Sequence, residues 1–191
     1  PLTIKLEGEN KISTDIRDKR AIFCYDLTFI GSGSLDAYAV RPDYGTIFST
    51  GSVSIGGSCQ ITTSCQKQNL SISSTAYLGI ALHVYQGDLT VSGNSSLKAF
   101  ITDDNVNRTA AFVGYNTTVK DNACVEILGR CKGAFIAGSL DVQGGSITVK
   151  SKGSGHRYGT SQRVDNEQYP TLEVPDYITI SGGKLDVSSE L

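Results

Sequence analysis

The chain has 191 residues, a formal net charge of −2 and an isoelectric point near 5.7. This length is typical of one domain with a continuous core. Because the chain has no basic run, its charge argues against nucleic acid as a partner. No apolar stretch approaches the roughly 18 residues that are typical of a membrane span.

One phrase recurs along the chain: apolar-Thr-apolar, then Gly or Ser, then apolar-x-apolar. In chain order it is written LTIKLEGENKIS, LTFIGSGSLDA, VSIGGSCQIT, LSISSTAYLGI, LTVSGNSSLKAF, TTVKDNACVEI, LDVQGGSITV and ITISGGKLDV. We take the first residues of these phrases as equivalent anchors, namely Leu2, Leu27, Val53, Leu70, Leu89, Thr117, Leu140 and Ile178. A repeat spaced mostly in the twenties is typical of a solenoid in which each repeat is one coil.

Apolar residues alternate within each phrase, which places them on one face of a strand. The residues two past each anchor are Ile4, Phe29, Ile55, Ile72, Val91, Val119, Val142 and Ile180. A second set lies eight residues past each anchor, or seven in the last two coils, and only Asn10 in it is not apolar. Its members are Asn10, Leu35, Ile61, Leu78, Leu97, Val125, Ile147 and Leu185. Stacked coils would align each set into a buried column.

A third short apolar phrase precedes most anchors, as AIFCYD, GTIFSTG, ALHVYQGD, AAFVGYN and GAFIAGS. We therefore predict three-sided coils and an all-β fold: a single-stranded right-handed parallel β-helix of about eight coils. It forms one domain over residues 1–191, and its handedness follows the general rule for parallel crossovers. An all-β sandwich is the competing architecture, but sandwich strands seldom share a phrase.

The five cysteines, Cys24, Cys59, Cys65, Cys124 and Cys131, show no metal-ligand spacing. Their positions favour small apolar fillers within or beside the columns. A Cys59–Cys65 or a Cys124–Cys131 disulfide is the alternative, and the odd count would then leave a thiol over.

These phrases resemble the β-helical "carbohydrate-binding domain-containing" surface proteins of gut and soil bacteria. The matching segments are LTIKLEGENKI at 2–12, AIFCYDLTFIGSGSLDA at 21–37, QGDLTVSGNSSLKA at 86–99, SLDVQGGSITV at 139–149 and ITISGGKLDV at 178–187. The resemblance implies a secreted or cell-surface bacterial protein with a polysaccharide or other glycan as its partner. Some relatives are similar in shape to pectate-lyase-like β-helices and bind plant polysaccharide and calcium, although the Asp-rich turns of that family are thin here.

Function in a solenoid resides where a coil is interrupted, because insertions emerge on one face. The longest predicted interruption is a loop insertion at 150–177, which concentrates polar and aromatic side chains. Tyrosine faces beside Arg suit sugar stacking and hydroxyl recognition, so we predict a ligand-binding set of His156, Arg157, Tyr158, Arg163 and Tyr169. The alternative is a solvated loop that covers the side or the end of the helix.

A second interruption, TDDNVNRT at 102–109, brings three oxygen-bearing residues together. Asp103, Asp104 and Asn105 offer the ligand chemistry of a hard cation, so they are the predicted metal site, with Ca²⁺ as its ion. Turn formation by Asp and Asn is the alternative. No cofactor other than this Ca²⁺ is predicted.

Two outward columns are further candidates for binding surfaces. The residues one past each anchor are rich in hydroxyl groups: Thr3, Thr28, Ser54, Ser71, Thr90, Thr118, Asp141 and Thr179. The neighbouring column is irregular, and Thr is in any case a good exposed strand residue. Tyr25 and Tyr115 occupy matched places, but the coils between them do not continue the stack, so we expect no continuous aromatic column.

These patterns favour a non-catalytic extracellular or cell-surface β-helix that binds glycan or mediates adhesion. One alternative is a β-helical polysaccharide lyase or glycoside hydrolase, but no pair of carboxylates with a supporting group can be assembled from the sequence. The other alternative is a structural spacer without a ligand.

Overall fold

Parallel strands from successive coils stack into sheets along one axis. The structure is a computed structural model that describes residues 1–16, 19–40, 42, 44–66, 80–102, 109–129, 132–152, 154–156, 163–165 and 170–189. Sheet A contains, in spatial order, β1 (Leu2–Leu6), β4 (Leu27–Gly31), β7 (Val53–Ile55), β10 (Leu89–Val91), β13 (Thr117–Val119), β16 (Leu140–Val142) and β21 (Ile178–Ile180). Sheet B contains β2 (Glu9–Thr14), β5 (Ser34–Ala39), β8 (Gln60–Cys65), β11 (Ser96–Ile101), β14 (Cys124–Gly129), β17 (Ser146–Ser151) and β22 (Lys184–Ser189).

The third side of the coil is sheet C. It contains β3 (Ile22–Cys24), β6 (Ile47–Ser49), β9 (Leu82–Val84), β12 (Thr109–Val113), β15 (Lys132–Ile136) and β20 (Leu172–Glu173). A separate antiparallel pair joins β18 (Ser154–His156) to β19 (Arg163–Asp165). Neighbouring strands within each of the three large sheets are parallel, which confirms the predicted all-β parallel β-helix and excludes the sandwich. The described part of the chain contains no helix that is long and apolar enough to cross a membrane.

The described residues form seven coils, whereas the sequence predicted about eight. The difference arises at Leu70, one of the predicted anchors. Strand β7 pairs directly with β10, with Val53 opposite Leu89, so no rung anchored on Leu70 separates them. The phrase that begins at Leu70 therefore has the sequence pattern of a coil but adds no rung to sheet A between β7 and β10. Leu70 itself lies outside the described residues.

The register places equivalent residues of successive coils directly opposite one another. Among the anchors, Leu2 pairs with Leu27 and Leu27 with Val53. The predicted second column is equally continuous, since Leu35 pairs with Ile61 in sheet B. These side chains line the interior, and Leu27, Val53, Leu35 and Ile61 are almost fully buried, whereas Leu2 in the first coil is exposed. Burial of this continuous column stabilises coils that no single repeat could stabilise alone.

The corner between sheets C and A carries a ladder of polar side chains. Each accepts a hydrogen bond from a backbone N–H of the next coil: Asp26 from Ser52 (2.9 Å), Ser52 from Asp88 (3.1 Å), Asp88 from Asn116 (2.9 Å) and Asn116 from Ser139 (3.0 Å). Donors at a bend lie outside the regular strand pairing, and buried donors without partners are costly. The ladder therefore holds the bends of successive coils in line.

The corner between sheets A and B begins with a glycine that no other residue can replace without strain. Gly31 has a φ of +106°, and a Cβ atom there would lie 2.3 Å from the carbonyl oxygen of Leu6. Adjacent coils approach this closely because their backbones turn in the same place.

Cys59 and Cys65 are fully buried fillers, as predicted, whereas Cys24 is half-buried and Cys124 is exposed. Cys59 is a buried free thiol whose Sγ contacts the carbonyl oxygen of Gly31 at 3.5 Å, so the Cys59–Cys65 disulfide is not formed. Burial raises the pKa of the Cys59 thiol, which keeps it in its neutral form. Cys124 is also a free thiol and accepts from the Ser146 hydroxyl. Cys131 lies outside the described residues.

Candidate functional site: the aromatic face of sheet C

A column of rings runs along the outer surface of sheet C. Its members are the next-to-last residues of consecutive strands and are paired in register: Phe23, Phe48, His83, Phe112 and Phe135. The ring centroids of successive members lie 5.5, 5.0, 4.8 and 5.2 Å apart. These spacings are those of favourable aromatic contacts, each of which stabilises by about 0.5–1.5 kcal/mol beyond its burial.

The alternation of the strands explains why these rings face outwards. The residues immediately before them, such as Ile22, Ile47 and Leu82, are buried in the core. Because successive side chains of a strand point to opposite faces, the next residue must point out of the coil. The coil spacing of about 4.8 Å between paired strands then brings the rings into contact.

Three further side chains cover the first half of this column. The Tyr44 ring stacks on Phe48 with centroids 5.3 Å apart, and the Tyr85 ring meets His83 edge-on at 5.8 Å. The Arg20 guanidinium carbon lies 4.7 Å from the centroid of Phe48 and 4.8 Å from that of Phe23. We call the five column members together with Arg20, Tyr44 and Tyr85 the aromatic face.

Exposure varies sharply within the aromatic face. His83 is fully buried and Phe48 nearly so, whereas Phe23 is 59% exposed and Tyr44 and Tyr85 are also exposed. The buried rings therefore form a rigid base, and the exposed rings present flat apolar surface together with the Tyr44 and Tyr85 hydroxyl groups. Exposed aromatic surface of this kind marks an interaction site more often than a scattered apolar residue does.

His83 lies at the centre of the aromatic face and is held in a fixed orientation. Its Nδ1 lies 3.1 Å from the carbonyl oxygen of Tyr44, a residue with an unusual φ of +68°. The adjoining Gly45 permits this approach, because a Cβ atom there would lie 2.9 Å from the Cβ of His83. Burial lowers the pKa of His83 to about 4, and the charge of Arg20 acts in the same direction, while the contact with Tyr44 opposes both. His83 is therefore neutral at physiological pH. Arg20 supplies positive charge at the Phe23 end of the column.

The far end of the column has a different covering. Lys132 lies with its ammonium group 5.3 Å from the centroid of Phe135 and forms an ion pair with Glu173. Glu173 occupies the position opposite Phe135 in the next strand. The aromatic column thus ends at a charged pair that joins the fifth and sixth coils.

The expectation that no continuous aromatic column exists was wrong, although the column through Tyr25 and Tyr115 is indeed interrupted. Gly51 and Gly87 lie between these two residues, as the sequence indicates. The continuous column lies earlier in each coil, at the single Phe or His of the phrases AIFCYD, GTIFSTG, ALHVYQGD, AAFVGYN and GAFIAGS. An alignment of these phrases on their own Phe or His residue, instead of on the anchors, would have found it.

The structure describes only part of the predicted ligand-binding set. His156 and Arg163 are opposite each other in the backbone pairing of β18 and β19. Arg157, Tyr158 and Tyr169 lie outside the described residues. Within the predicted insertion at 150–177, Lys150 and Ser151 still belong to β17, and Leu172 and Glu173 form β20 of sheet C.

The predicted metal site, Asp103, Asp104 and Asn105, also lies outside the described residues. Among the residues that the structure does describe, no group of three or more His, Cys, Asp or Glu side chains is placed to hold a metal ion. No known protein family, curated protein or solved structure matches the chain. The function is therefore argued from the geometry of the aromatic face.

Proposed function

We propose that the protein is a non-catalytic, extracellular or cell-surface β-helix that binds glycan on its aromatic face. The observation that carries this proposal is the combination of exposed rings, at Phe23, Tyr44 and Tyr85, with a buried aromatic base that fixes their positions. The resemblance of the coil phrases to bacterial carbohydrate-binding surface proteins supports the same function and the same location.

The chemistry of a sugar suits this surface. A pyranose ring has an apolar face of C–H groups that packs on an aromatic ring, and its hydroxyl groups require hydrogen-bond partners at the edge. The Tyr44 and Tyr85 hydroxyl groups and the Arg20 guanidinium supply such partners beside the rings. Tyrosine loses little conformational entropy on binding because it has two side-chain torsions, and the contacts of Tyr44 with Phe48 reduce that cost further.

The insertion predicted from the sequence is a second candidate contact region. It leaves the helix between β17 of sheet B and β20 of sheet C, in the sixth coil. Tyr44 and Tyr85 belong to the second and third coils, at least three rungs, or about 14 Å at the usual strand spacing, from these two strands. Substitutions of Tyr44 and Tyr85 on one side, and of insertion residues on the other, therefore distinguish the two candidates.

The test compares glycan retention by variants of the two regions. We expect Tyr85→Ala and Tyr44→Ala each to weaken binding on a glycan array about tenfold, the effect of truncating an aromatic residue at a binding hot spot. Tyr115→Ala is the matched control, because Tyr115 is also exposed but lies outside the aromatic face. Thermal unfolding of each variant separates loss of binding from loss of fold.

Other results would contradict the assignment. Retention that survives Tyr44→Ala and Tyr85→Ala but is lost in Arg157→Ala and Tyr158→Ala would move the site to the insertion. A parent protein that binds no glycan would favour the alternative of a structural spacer without a ligand. The release of unsaturated products from pectin would favour the lyase.

A further inference from the structure

His83 is the exception in the column of rings on sheet C. The other members, Phe23, Phe48, Phe112 and Phe135, are phenylalanines that form ring contacts of the same kind. His83 is fully buried, so its imidazole is removed from water. Burial of a polar group is costly unless the group is hydrogen-bonded, and a phenylalanine would avoid that cost. Packing alone therefore does not explain the histidine.

The bend before β6 holds a second exception. Tyr44 has a φ of +68°, in the left-handed region of backbone conformation. In the described part of the chain, Asp121 is the other non-glycine residue with a positive φ. Aspartate tolerates this region in turns, whereas a residue with a bulky side chain adopts it at a cost. Such a conformation persists where surrounding contacts hold the backbone in place, and these places cluster at binding sites.

The two exceptions meet at one hydrogen bond. The Nδ1 atom of His83 lies 3.1 Å from the carbonyl oxygen of Tyr44. A carbonyl oxygen can only accept, so Nδ1 carries the proton and donates it. A phenylalanine at this position would form the ring contacts but not the bond. The two segments approach closely enough for it because Gly45 has no Cβ atom to meet the Cβ of His83.

We propose that His83 is a positioning residue for the glycan site, an inference that rests on the proposed function of the aromatic face. Its Nδ1–H holds the Tyr44 backbone in the left-handed conformation, and that conformation places the Tyr44 ring on Phe48. One hydrogen bond contributes a free energy similar to the cost of the left-handed conformation. Loss of the bond would therefore allow Tyr44 to populate other conformations.

The bond from His83 acts on a different part of Tyr44 from the ring contacts. The Tyr44 ring stacks on Phe48, and the Arg20 guanidinium carbon lies 5.1 Å from its centroid. These two contacts act on the side chain, whereas the bond acts on the backbone from which the ring extends. The ring contacts thus depend on the conformation that His83 holds. A ligand that packs on Tyr44 benefits, because a ring held in place beforehand loses less conformational entropy on binding.

Two substitutions at position 83 separate positioning from packing. His83→Phe keeps a ring in the column and removes the donor. We expect it to weaken retention on a glycan array about fivefold, the effect of about one hydrogen bond, with little change in thermal unfolding. His83→Asn removes the ring and keeps a donor, because its Nδ2 is attached to Cγ as Nδ1 is in histidine. It should bind as the parent does but unfold at a lower temperature. Binding that follows stability in both variants would contradict the proposal, since a purely structural role predicts that result.

A double substitution shows whether His83 acts through Tyr44. In the Tyr44→Ala variant the ring that His83 positions is absent. Adding His83→Phe to it should therefore change retention by less than about twofold, because the two residues act as a unit. A further fivefold loss would mean that the two act independently and would overturn the proposal. Circular dichroism checks the fold of each variant, and this comparison decides the question even if His83→Asn does not fold.

A measurement without glycan keeps this inference separate from the proposed function. Fluorotyrosine labelling places a fluorine NMR probe on all nine tyrosines, and comparison with Tyr44→Phe identifies the Tyr44 signal. Stacking on Phe48 shifts that signal in the parent. We expect His83→Phe to move it towards its position in the unfolded protein and His83→Asn to leave it near that of the parent.

The outcomes of this measurement differ for the two proposals. A Tyr44 signal that His83→Phe leaves in place would overturn the positioning role even if the parent binds glycan. A signal that moves, in a protein that binds no glycan, would support the positioning of Tyr44 and contradict only the proposed function.

Discussion

The outer faces of sheets A and C are both formed by parallel strands in register, but they carry different side chains. On sheet A, the column from Thr3 through Thr28 and Thr90 to Thr179 is in continuous register, and it is rich in hydroxyl groups as the sequence predicted. Its predicted member Ser71 lies outside the described residues, and Ser54 pairs directly with Thr90. On sheet C, the corresponding column consists of rings.

The comparison shows that the stacking of coils determines where outward side chains lie. It does not determine whether those side chains stabilise the fold. Threonine side chains on sheet A stay partly exposed and are too short to fill space above the sheet. The rings of sheet C contact one another, and Tyr44, Tyr85 and Arg20 cover the first half of the column. Sheet C therefore has a small second core on its outside, with exposed rings at its edge.

The largest difference in stability between the two faces is expected when a ring is removed from the covered part of the column on sheet C. Phe48→Ala should lower the free energy of unfolding by about 3–5 kcal/mol, since it empties a nearly buried position between Phe23 and His83. Thr90→Ala, on the outer face of sheet A, should change it by less than about 0.5 kcal/mol. Urea unfolding followed by circular dichroism measures both. Equal losses would mean that the outer surface of sheet C is no core at all.

A change of pH tests the same core without altering its shape. Burial lowers the pKa of His83 from its usual value of 6.5 to about 4 in the folded protein. Because the unfolded state binds the extra proton first, stability is unaffected above pH 6.5 and falls as the pH drops towards 4. The loss approaches about 3 kcal/mol. His83→Phe should remove this component, which is read as the difference between the pH–stability curves of variant and parent. Parallel curves would contradict the burial of His83.

The smallest expected effect concerns the corner that joins the two faces. Asn116→Ala removes the acceptor for the Ser139 N–H and the side-chain bond to Asp88, and should cost about 1 kcal/mol. Asn122→Ala is the control, because its side chain makes one exposed bond to Asn94 and should cost less. Denaturant titration of the pair measures the difference. If both variants lose the same stability, the corner ladder does not align the two faces.

The sequence predicted the interior columns because each coil repeats the alternation of period two within a short phrase. It overcounted the coils at Leu70, since LSISSTAYLGI follows the same alternation and only the pairing of β7 with β10 shows that it adds no rung. The aromatic column was missed for a different reason. The stretch from the ring to the next anchor, as from Phe23 to Leu27 or His83 to Leu89, varies in length, so an alignment on anchors scatters the rings.

The sequence by itself determined that the chain forms parallel coils and, apart from the phrase at Leu70 and the segment 150–177, which strands share a sheet and which side chains face inwards. These properties depend on local alternation and on repetition, and both can be read along the chain. Only the tertiary structure decided which outward residues meet, because contacts such as Tyr44 with His83 or Arg20 with Phe48 join different coils through bends of unequal length. The candidate site is built from those contacts, since binding surfaces depend on distances between coils and not on the order of residues within one.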